Sequence, residues 1–173
     1  TIIIENLIGG PKSKAKDQSL SILSTYSQNH SIILWEKSEV TKTTLTKYFT
    51  KSKVYLYTYP KILFSFLDSI GRGNPGEILR MFHELLRHTD AEMVYSMLVR
   101  QWRFLLIAKD LGRTGLGMLS PWQAHKFVDQ AGTFSIEQLQ QSYRQLLSVD
   151  ANIKSGQTPL SMTQLLDIFL VNL

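Results

Sequence analysis

Short continuous apolar runs alternate with amphipathic stretches along the first 60 residues. The runs TIIIENL (1–7), SIILWEK (31–37) and KVYLYTY (53–59) are rich in β-branched and aromatic residues, which predicts three buried strands. The stretches between them predict a helix over about 15–28 and a short basic helix within 41–52. Strand–helix–strand–helix–strand is the pattern of a parallel sheet with crossover helices.

At Pro60 the spacing of apolar residues changes from strand-like to helical. Capping residues, glycines and prolines then divide the rest of the chain into about six helices. The predicted helices run from Pro60 to Gly71, from Asn74 onward, over roughly 91–111, from Ser120 to Gly132, from Ser135 to about Lys154, and from Thr158 to the end. The dense apolar content of the last helix predicts near-complete burial. The fold class is therefore an α/β fragment (1–60) followed by an all-α helical bundle (61–173).

Composition limits the class of protein. With 173 residues, 43% hydrophobic and 19% charged, the chain fits one ordinary globular domain or two small ones, and it is too apolar to be disordered. No run approaches 18 apolar residues, so no membrane span is expected. The absence of cysteine excludes disulfides and thiolate metal sites. A start without Met, inside a predicted strand, indicates either a fragment or an incompletely recorded open reading frame.

The net charge of +5 is concentrated at the front of the chain. Residues 1–60 carry 8 Lys/Arg and 4 Asp/Glu, whereas residues 61–173 carry 11 and 10. A lysine-rich segment of this kind can bind nucleic acid or an acidic protein surface, and the alternative is a solubilising face. The nucleic-acid candidates are Lys12, Lys14, Lys16, Lys42, Lys47 and Lys51.

A literal G-x-G-x-x-G occurs at Gly71, Gly73 and Gly76, but its context argues against a dinucleotide site. Such a site needs a strand before the first glycine and an acidic residue after a second strand, whereas both neighbouring segments here are predicted helices. The chain also lacks a P-loop and a nucleophile elbow, and its histidines are not at metal-ligand spacing. We therefore expect no catalytic residue, no cofactor and no bound metal.

Two polar stretches interrupt the apolar helices. In MLVRQWRFLL (97–106), Arg100, Gln101 and Arg103 surround Trp102, which predicts either a buried or intersubunit polar cluster or a surface stripe. In DANIKSGQ (150–157), Lys154 and Gly156 are either a second part of an interface or a helix C-terminal cap.

Four stretches, taken in order, resemble the delta subunit of bacterial DNA polymerase III, a clamp-loader protein. They are FSFLDSIGRGNPGEIL, MLVRQWRFLL, FSIEQLQQSYRQLLSVDANIKSGQ and LLDIFLVNL. The resemblance covers essentially all of 61–173, and the strands near 1–7 and 31–37 are similar to the later strands of the family's ATPase-like domain.

The resemblance implies a collar domain (61–173) that assembles with other clamp-loader subunits, after the C-terminal part of an AAA+-like domain (1–60). It implies a cytoplasmic, non-catalytic subunit of a DNA-directed DNA polymerase (nucleotidyltransferase) holoenzyme, with DNA contact possible. The element that opens the sliding clamp is expected upstream of Thr1. The chain departs from the family where YLYTYP (55–60) runs directly into KILFSFLDSI (61–70), so the small helical lid between sheet and collar is expected to be missing. The candidate interface residues are Arg100, Gln101, Trp102, Arg103, Lys154 and Gly156. The alternative function is a stand-alone basic nucleic-acid-binding helical protein.

Overall fold

Two parallel strands and two helices make up the first part of the chain. The computed structural model describes residues 1–173, which separate into two compact units, Thr1–Thr58 and Tyr59–Leu173. In the first unit, β1 (Ile2–Glu5) pairs with β2 (Ile32–Trp35) in parallel, with Ile2 opposite Ile32 and Glu5 opposite Trp35. Helix α1 (Lys14–Tyr26) connects the strands, and α2 (Lys42–Tyr48) follows β2. This order confirms the predicted α/β character.

The prediction that these strands are buried is wrong. Because side chains alternate along a strand, Ile4, Ile32 and Leu34 share one face of the sheet and are half-buried. On the opposite face Ile33 and Trp35 are 51% and 53% exposed. A continuous apolar run indicates burial on both faces only when a layer of structure covers each face.

The predicted third strand over 53–59 is also wrong. This segment has no regular secondary structure, and its residues are exposed. Strand propensity favours the extended conformation, but a strand also needs a neighbour that accepts and donates its ladder hydrogen bonds. Neither β1 nor β2 pairs with this segment.

Six helices form the second unit, as predicted. They are α3 (Lys61–Ser69), α4 (Pro75–Leu85), α5 (Ala91–Leu111), α6 (Pro121–Ala131), α7 (Ile136–Lys154) and α8 (Met162–Val171), with a 3₁₀ turn at Thr114–Leu116. Helix α5 lies at the centre and packs against α3, α6, α7 and α8. Its fully buried Trp102 contacts Phe134 and Phe169, with ring centroids 6.4 and 5.2 Å away. No helix of the structure has the length and apolar character needed to cross a lipid bilayer.

Several helices begin at a residue whose side chain accepts a hydrogen bond from a free main-chain amide of the first turn. Asn74 Oδ1 accepts a hydrogen bond from Glu77 N at 2.8 Å, with Pro75 at the first helical position. Ser135 and Gln138 form the predicted capping box at the start of α7. Gly71, with φ of +78°, follows α3, so the glycine triplet turns the chain between two helices.

The predicted start of the last helix is wrong by three residues. Another capping box, Ser161 with Gln164, begins α8 at Met162, and Thr158 instead caps a turn by accepting from Leu160 N. The predicted near-complete burial of α8 is also incorrect, because Ile168 and Val171 are each 52% exposed. Only the side facing α4, α5 and α7 is covered.

Candidate subunit-interface site

The polar cluster predicted in α5 divides between the core and the surface. Gln101 is 5% exposed and Trp102 is fully buried, whereas Arg100 and Arg103 lie at the surface. Successive helical residues are about 100° apart, so Arg100 and Arg103, three residues apart, share one side of the helix, while the two residues between them share the other. The uncharged Gln101 and Trp102 are therefore in the core. The two guanidinium groups stay in water, where they avoid the free-energy cost of desolvating a charge.

The side-chain amides of Gln101 and Gln130 form a buried pair at the C-terminal end of α3. Gln101 Nε2 donates to Gln130 Oε1 at 2.6 Å, and Gln130 Nε2 donates to the carbonyl oxygens of Leu67 and Ile70 at 2.8 and 2.9 Å. The last carbonyls of a helix have no partner within it, so these side-chain donors satisfy them in the interior. We assign Gln101 and Trp102 a role in folding the bundle.

Arg100 and Arg103 are the two basic residues near the middle of α5, on its exposed side. The Arg100 guanidinium lies 4.9 Å from the centre of the Phe104 ring, and Phe104 packs on Phe127 of α6 at 5.0 Å. This stacking restricts the rotamers of Arg100 while its charge faces solvent. Such a preorganised arginine loses little conformational entropy on binding a carboxylate.

One helical turn before Arg100, a cleft of about 460 Å³ opens between α5, α7 and the start of α8. Its lining includes Glu92 and Ser96 of α5, Asp150 and Lys154 of α7, and Met162. Lys154 Nζ donates to Asp150 Oδ2 at 2.8 Å across one turn. The cleft therefore presents both signs of charge beside the apolar side chains of Val99 and Met162.

Tyr95 forms the inner wall of the cleft and ties α5 to α7. Its hydroxyl donates to the carbonyl oxygen of Leu146 at 3.0 Å. Burial raises the pKa of Tyr95 above its usual range, and the charge of the nearby Asp150 raises it further. Tyr95 therefore stays a neutral hydrogen-bond donor at physiological pH.

Gly156 belongs to the end of α7. Its φ of +66° lies in the left-handed region, and Gln157 N donates to the carbonyl oxygen of Asn152 at 3.0 Å. This is the geometry of a helix C-terminal cap, in which glycine is favoured because it lacks a Cβ. The capping role that the sequence offers for Gly156 is thus present, and its part in an interface stays a prediction.

The lysines proposed to bind nucleic acid differ in their exposure and in the groups that they contact. Lys16 is half-buried and donates to the carbonyl oxygens of Ile8 and Gly10, while the Glu36 carboxylate accepts from the amides of Ile8 and Gly9. Lys16 therefore organises the loop after β1 and is already engaged by main-chain acceptors.

Lys47 has a neighbour as well. Its ammonium lies 4.6 Å from the centre of the Tyr48 ring, and the interaction with the Tyr48 hydroxyl raises the pKa of Lys47. Lys12, Lys14, Lys42 and Lys51 are exposed. These four, with Lys47, stay candidates for an anionic partner.

The sequence analysis did not identify Trp122, an exposed aromatic residue near the start of α6. Trp122 is 67% exposed, the Lys126 ammonium lies 4.8 Å from its ring, and Lys126 also pairs with Asp68 of α3. The sequence signal was the Ser120-Pro121 helix start, which puts Trp122 in the first turn. Exposure of that turn depends on the packing of α6, which periodicity alone does not reveal.

Comparison with known proteins places the helical unit in a family. Residues 61–173 match the family described as DNA polymerase III delta subunit, C-terminal domain. Among solved structures, the chain is similar to the Bacillus subtilis DNA clamp loader delta protein (YqeN), with a TM-score of 0.55 and 18% identity. The similarity covers 98% of this chain and 76% of that one, and it shows a shared fold. A comparison with curated protein sequences finds no match.

Proposed function

Since the chain belongs to the DNA polymerase III delta subunit family, we propose that it acts in DNA replication as a delta-like subunit of the clamp loader. The observation that carries this proposal is the family match over residues 61–173, the whole helical unit apart from its first two residues. Its similarity in fold to a clamp loader delta protein, which extends over nearly the whole chain, agrees with it.

We assign the helical unit the role of a collar through which the chain joins other clamp-loader subunits. Support comes from the exposed face of α5, where the charges of Arg100 and Arg103 lie beside the mixed-charge cleft that contains Lys154. Charges at the edge of a protein interface steer the partner and set its register. A neighbouring subunit that presents carboxylates to Arg100 and Arg103 would meet this requirement.

In this role the chain is a non-catalytic part of the polymerase holoenzyme. It contributes to clamp-loader assembly, and through the assembled complex to opening the sliding clamp and loading it onto DNA. The first unit would then be the C-terminal part of an AAA+-like domain, and the complex would work in the cytoplasm. No step of this role requires a cofactor bound to the residues of the helical unit.

Size-exclusion chromatography with light scattering, using the clamp-loader subunits of the same organism, tests the proposal. We expect the chain to form a stable hetero-oligomer with them at micromolar concentration. We also expect the pair R100E/R103E to weaken that association at least tenfold, because each substitution puts a negative charge opposite the partner's carboxylates.

The matched control is the pair R80E/R87E, which makes the same charge change at exposed positions in α4 and in the turn that follows it. This control should associate within about twofold of the unaltered chain, since surface charges outside an interface contribute little. No association of the unaltered chain at micromolar concentration would refute the assembly role. Equal weakening of the association by both pairs would show that the interface does not depend specifically on the arginines of α5.

A further inference from the structure

The cleft between α5, α7 and the start of α8 holds more negative than positive charge. Of its lining residues, Glu92 and Asp150 are acidic and Lys154 is basic. Lys154 pairs with Asp150 across one turn of α7, and its side chain is 74% exposed, whereas that of Asp150 is 31% exposed. Glu92 forms no ion pair. One carboxylate of the cleft therefore lacks a countercharge within the protein.

The pairing of Asp150 with Lys154 is readily exchanged for a pairing with another cation. Ion pairs between exposed side chains four residues apart on a helix are weak, because water solvates both groups and the lysine loses conformational entropy when it pairs. A cation that enters the cleft therefore meets two carboxylates, that of Glu92 from α5 and that of Asp150 from α7.

The remaining lining of the cleft fits the stem of a long side chain. Val99 and Met162 present aliphatic surface, Tyr95 supplies an aromatic wall, and the volume is about 460 Å³. Arginine combines an apolar stem with a planar guanidinium, which donates in several directions within its plane and stacks on aromatic rings. Lysine has a comparable stem but only a compact, strongly hydrated charge. Arginine is therefore the side chain that uses both the carboxylates and the walls.

The exposed side of α5 continues from this cleft with the opposite charge. Glu92, Ser96, Arg100 and Arg103 are all exposed and recur every three or four residues, so they lie along one side of the helix. Eight residues separate Glu92 from Arg100, which corresponds to about 12 Å along the helix axis. A partner that presents carboxylates to the two arginines therefore reaches the cleft with a group about 12 Å away, and a cation is the group that complements it.

We propose that the cleft lined by Glu92 and Asp150 binds an arginine side chain of the neighbouring clamp-loader subunit. The guanidinium bridges the two carboxylates, and the stem packs on Val99 and Met162. The same partner places its carboxylates on the arginines of α5, so that contacts of opposite charge fix one direction of docking. This inference rests on the proposed assembly role and adds to it the chemistry and the register of the partner.

The first test needs no partner protein. The methyl NMR signal of Met162 in the full chain is followed while N-acetylarginine amide is added, with the uncharged isostere N-acetylcitrulline amide as its control. We expect saturable shifts with the arginine derivative and at least tenfold weaker binding of the citrulline derivative, because only the guanidinium forms charge-assisted hydrogen bonds. The methyl group of Met118, which is 77% exposed and lies outside the cleft, should not shift.

Substitutions that remove the two carboxylates locate the site. The pair E92Q/D150N should weaken binding of the arginine derivative at least tenfold. The matched control E77Q/D129N removes another first-turn glutamate and another aspartate paired at i,i+4, and it should bind within about twofold of the unaltered chain. Lys154→Gln should tighten binding about threefold, because the competing cation is lost, a gain that a merely structural role does not predict. Circular dichroism identifies any variant that fails to fold.

The second test uses the clamp-loader subunits of the same organism, with size-exclusion chromatography and light scattering. E92Q/D150N should weaken the association at least tenfold, and E77Q/D129N should leave it within about twofold. Failure of the unaltered chain to associate would refute the assembly role and this inference with it. Association that E92Q/D150N leaves unchanged would overturn the arginine site alone.

Three outcomes of the NMR titration would also overturn the proposal. An absence of shifts at Met162 would show that no cation enters the cleft. Equal binding of the citrulline derivative would show that the cleft does not recognise charge. Binding of N-acetylglutamate amide that Lys154→Gln removes, without binding of the arginine derivative, would assign the cleft to a carboxylate held by Lys154.

Discussion

Whether a glycine in this chain can be replaced depends on its backbone conformation and on the atoms that an added Cβ would meet. Gly71 and Gly156 have nearly the same backbone, with φ of +78° and +66°, yet their surroundings differ. A Cβ at Gly71 would overlap the Phe134 ring and lie 2.7 Å from Thr133 Oγ1, whereas one at Gly156 would meet open space. The first glycine is required twice, for its dihedral angle and for close packing, and the second only for its dihedral angle.

This difference predicts the outcome of a matched pair of substitutions. Gly156→Ala should lower the free energy of unfolding by about 1–2 kcal/mol, the cost of the left-handed conformation for a residue with a Cβ. Gly71→Ala should cost a further 1–3 kcal/mol or so, because Phe134 must also shift in a packed core. Urea unfolding of both variants measures the difference, and equal losses would show that Phe134 moves without cost.

At the scale of elements, helix boundaries follow local side-chain chemistry. Three capping boxes begin helices, at Ser120, Ser135 and Ser161, and each serine is followed three residues later by glutamine. Thr158-Pro159 has the local features of another start, but no glutamine or glutamate follows at the matching position. The pair of reciprocal hydrogen bonds therefore outweighs a single cap followed by proline.

Removing the cap of α8 should be measurable. Ser161→Ala deletes the acceptor for Gln164 N and should destabilise the chain by about 1 kcal/mol, as loss of an N-cap commonly does. Ser148→Ala, at an exposed position inside α7, is the control and should change stability by less than about 0.5 kcal/mol. A larger effect at Ser148 than at Ser161, by thermal or urea unfolding, would contradict the assignment of the boundary.

At the scale of the whole molecule, the two units differ in how much they bury. Leu20 is the one buried side chain of residues 1–58, whereas the second unit has a contiguous core that includes Phe66, Phe82 and Trp102. Hydrophobic burial is the dominant favourable contribution to folding, so the units should differ in stability.

Amide hydrogen exchange should show this difference directly. We expect the amides of β2 to exchange at least tenfold faster than those of the core of α5, which corresponds to an opening free energy lower by about 1.4 kcal/mol. As a control, a fragment of residues 59–173 should keep the protection of α5. Identical exchange in β2 and α5 would mean that the two units unfold together.

The sequence by itself determined the features that depend on neighbours along the chain. The order α/β then α, the bounds of α5 from Ala91 to Leu111, and the starts at Asn74 and Ser135 all follow from periodicity and capping. The resemblance to the delta subunit rested on the same kind of information, motifs in order along one chain, and it was confirmed.

Only the tertiary structure decided what depends on partners distant in sequence. A strand needs another strand, so 53–59 stayed extended and unpaired although its residues favour a strand. Burial needs a covering layer, so Ile33 and Ile168 are exposed. Gln101 is internal because its amide donates there to Gln130, which in turn donates to two main-chain carbonyl groups of α3 and its C-cap. These outcomes are set by long-range packing, which a pattern of apolar residues along the chain does not contain.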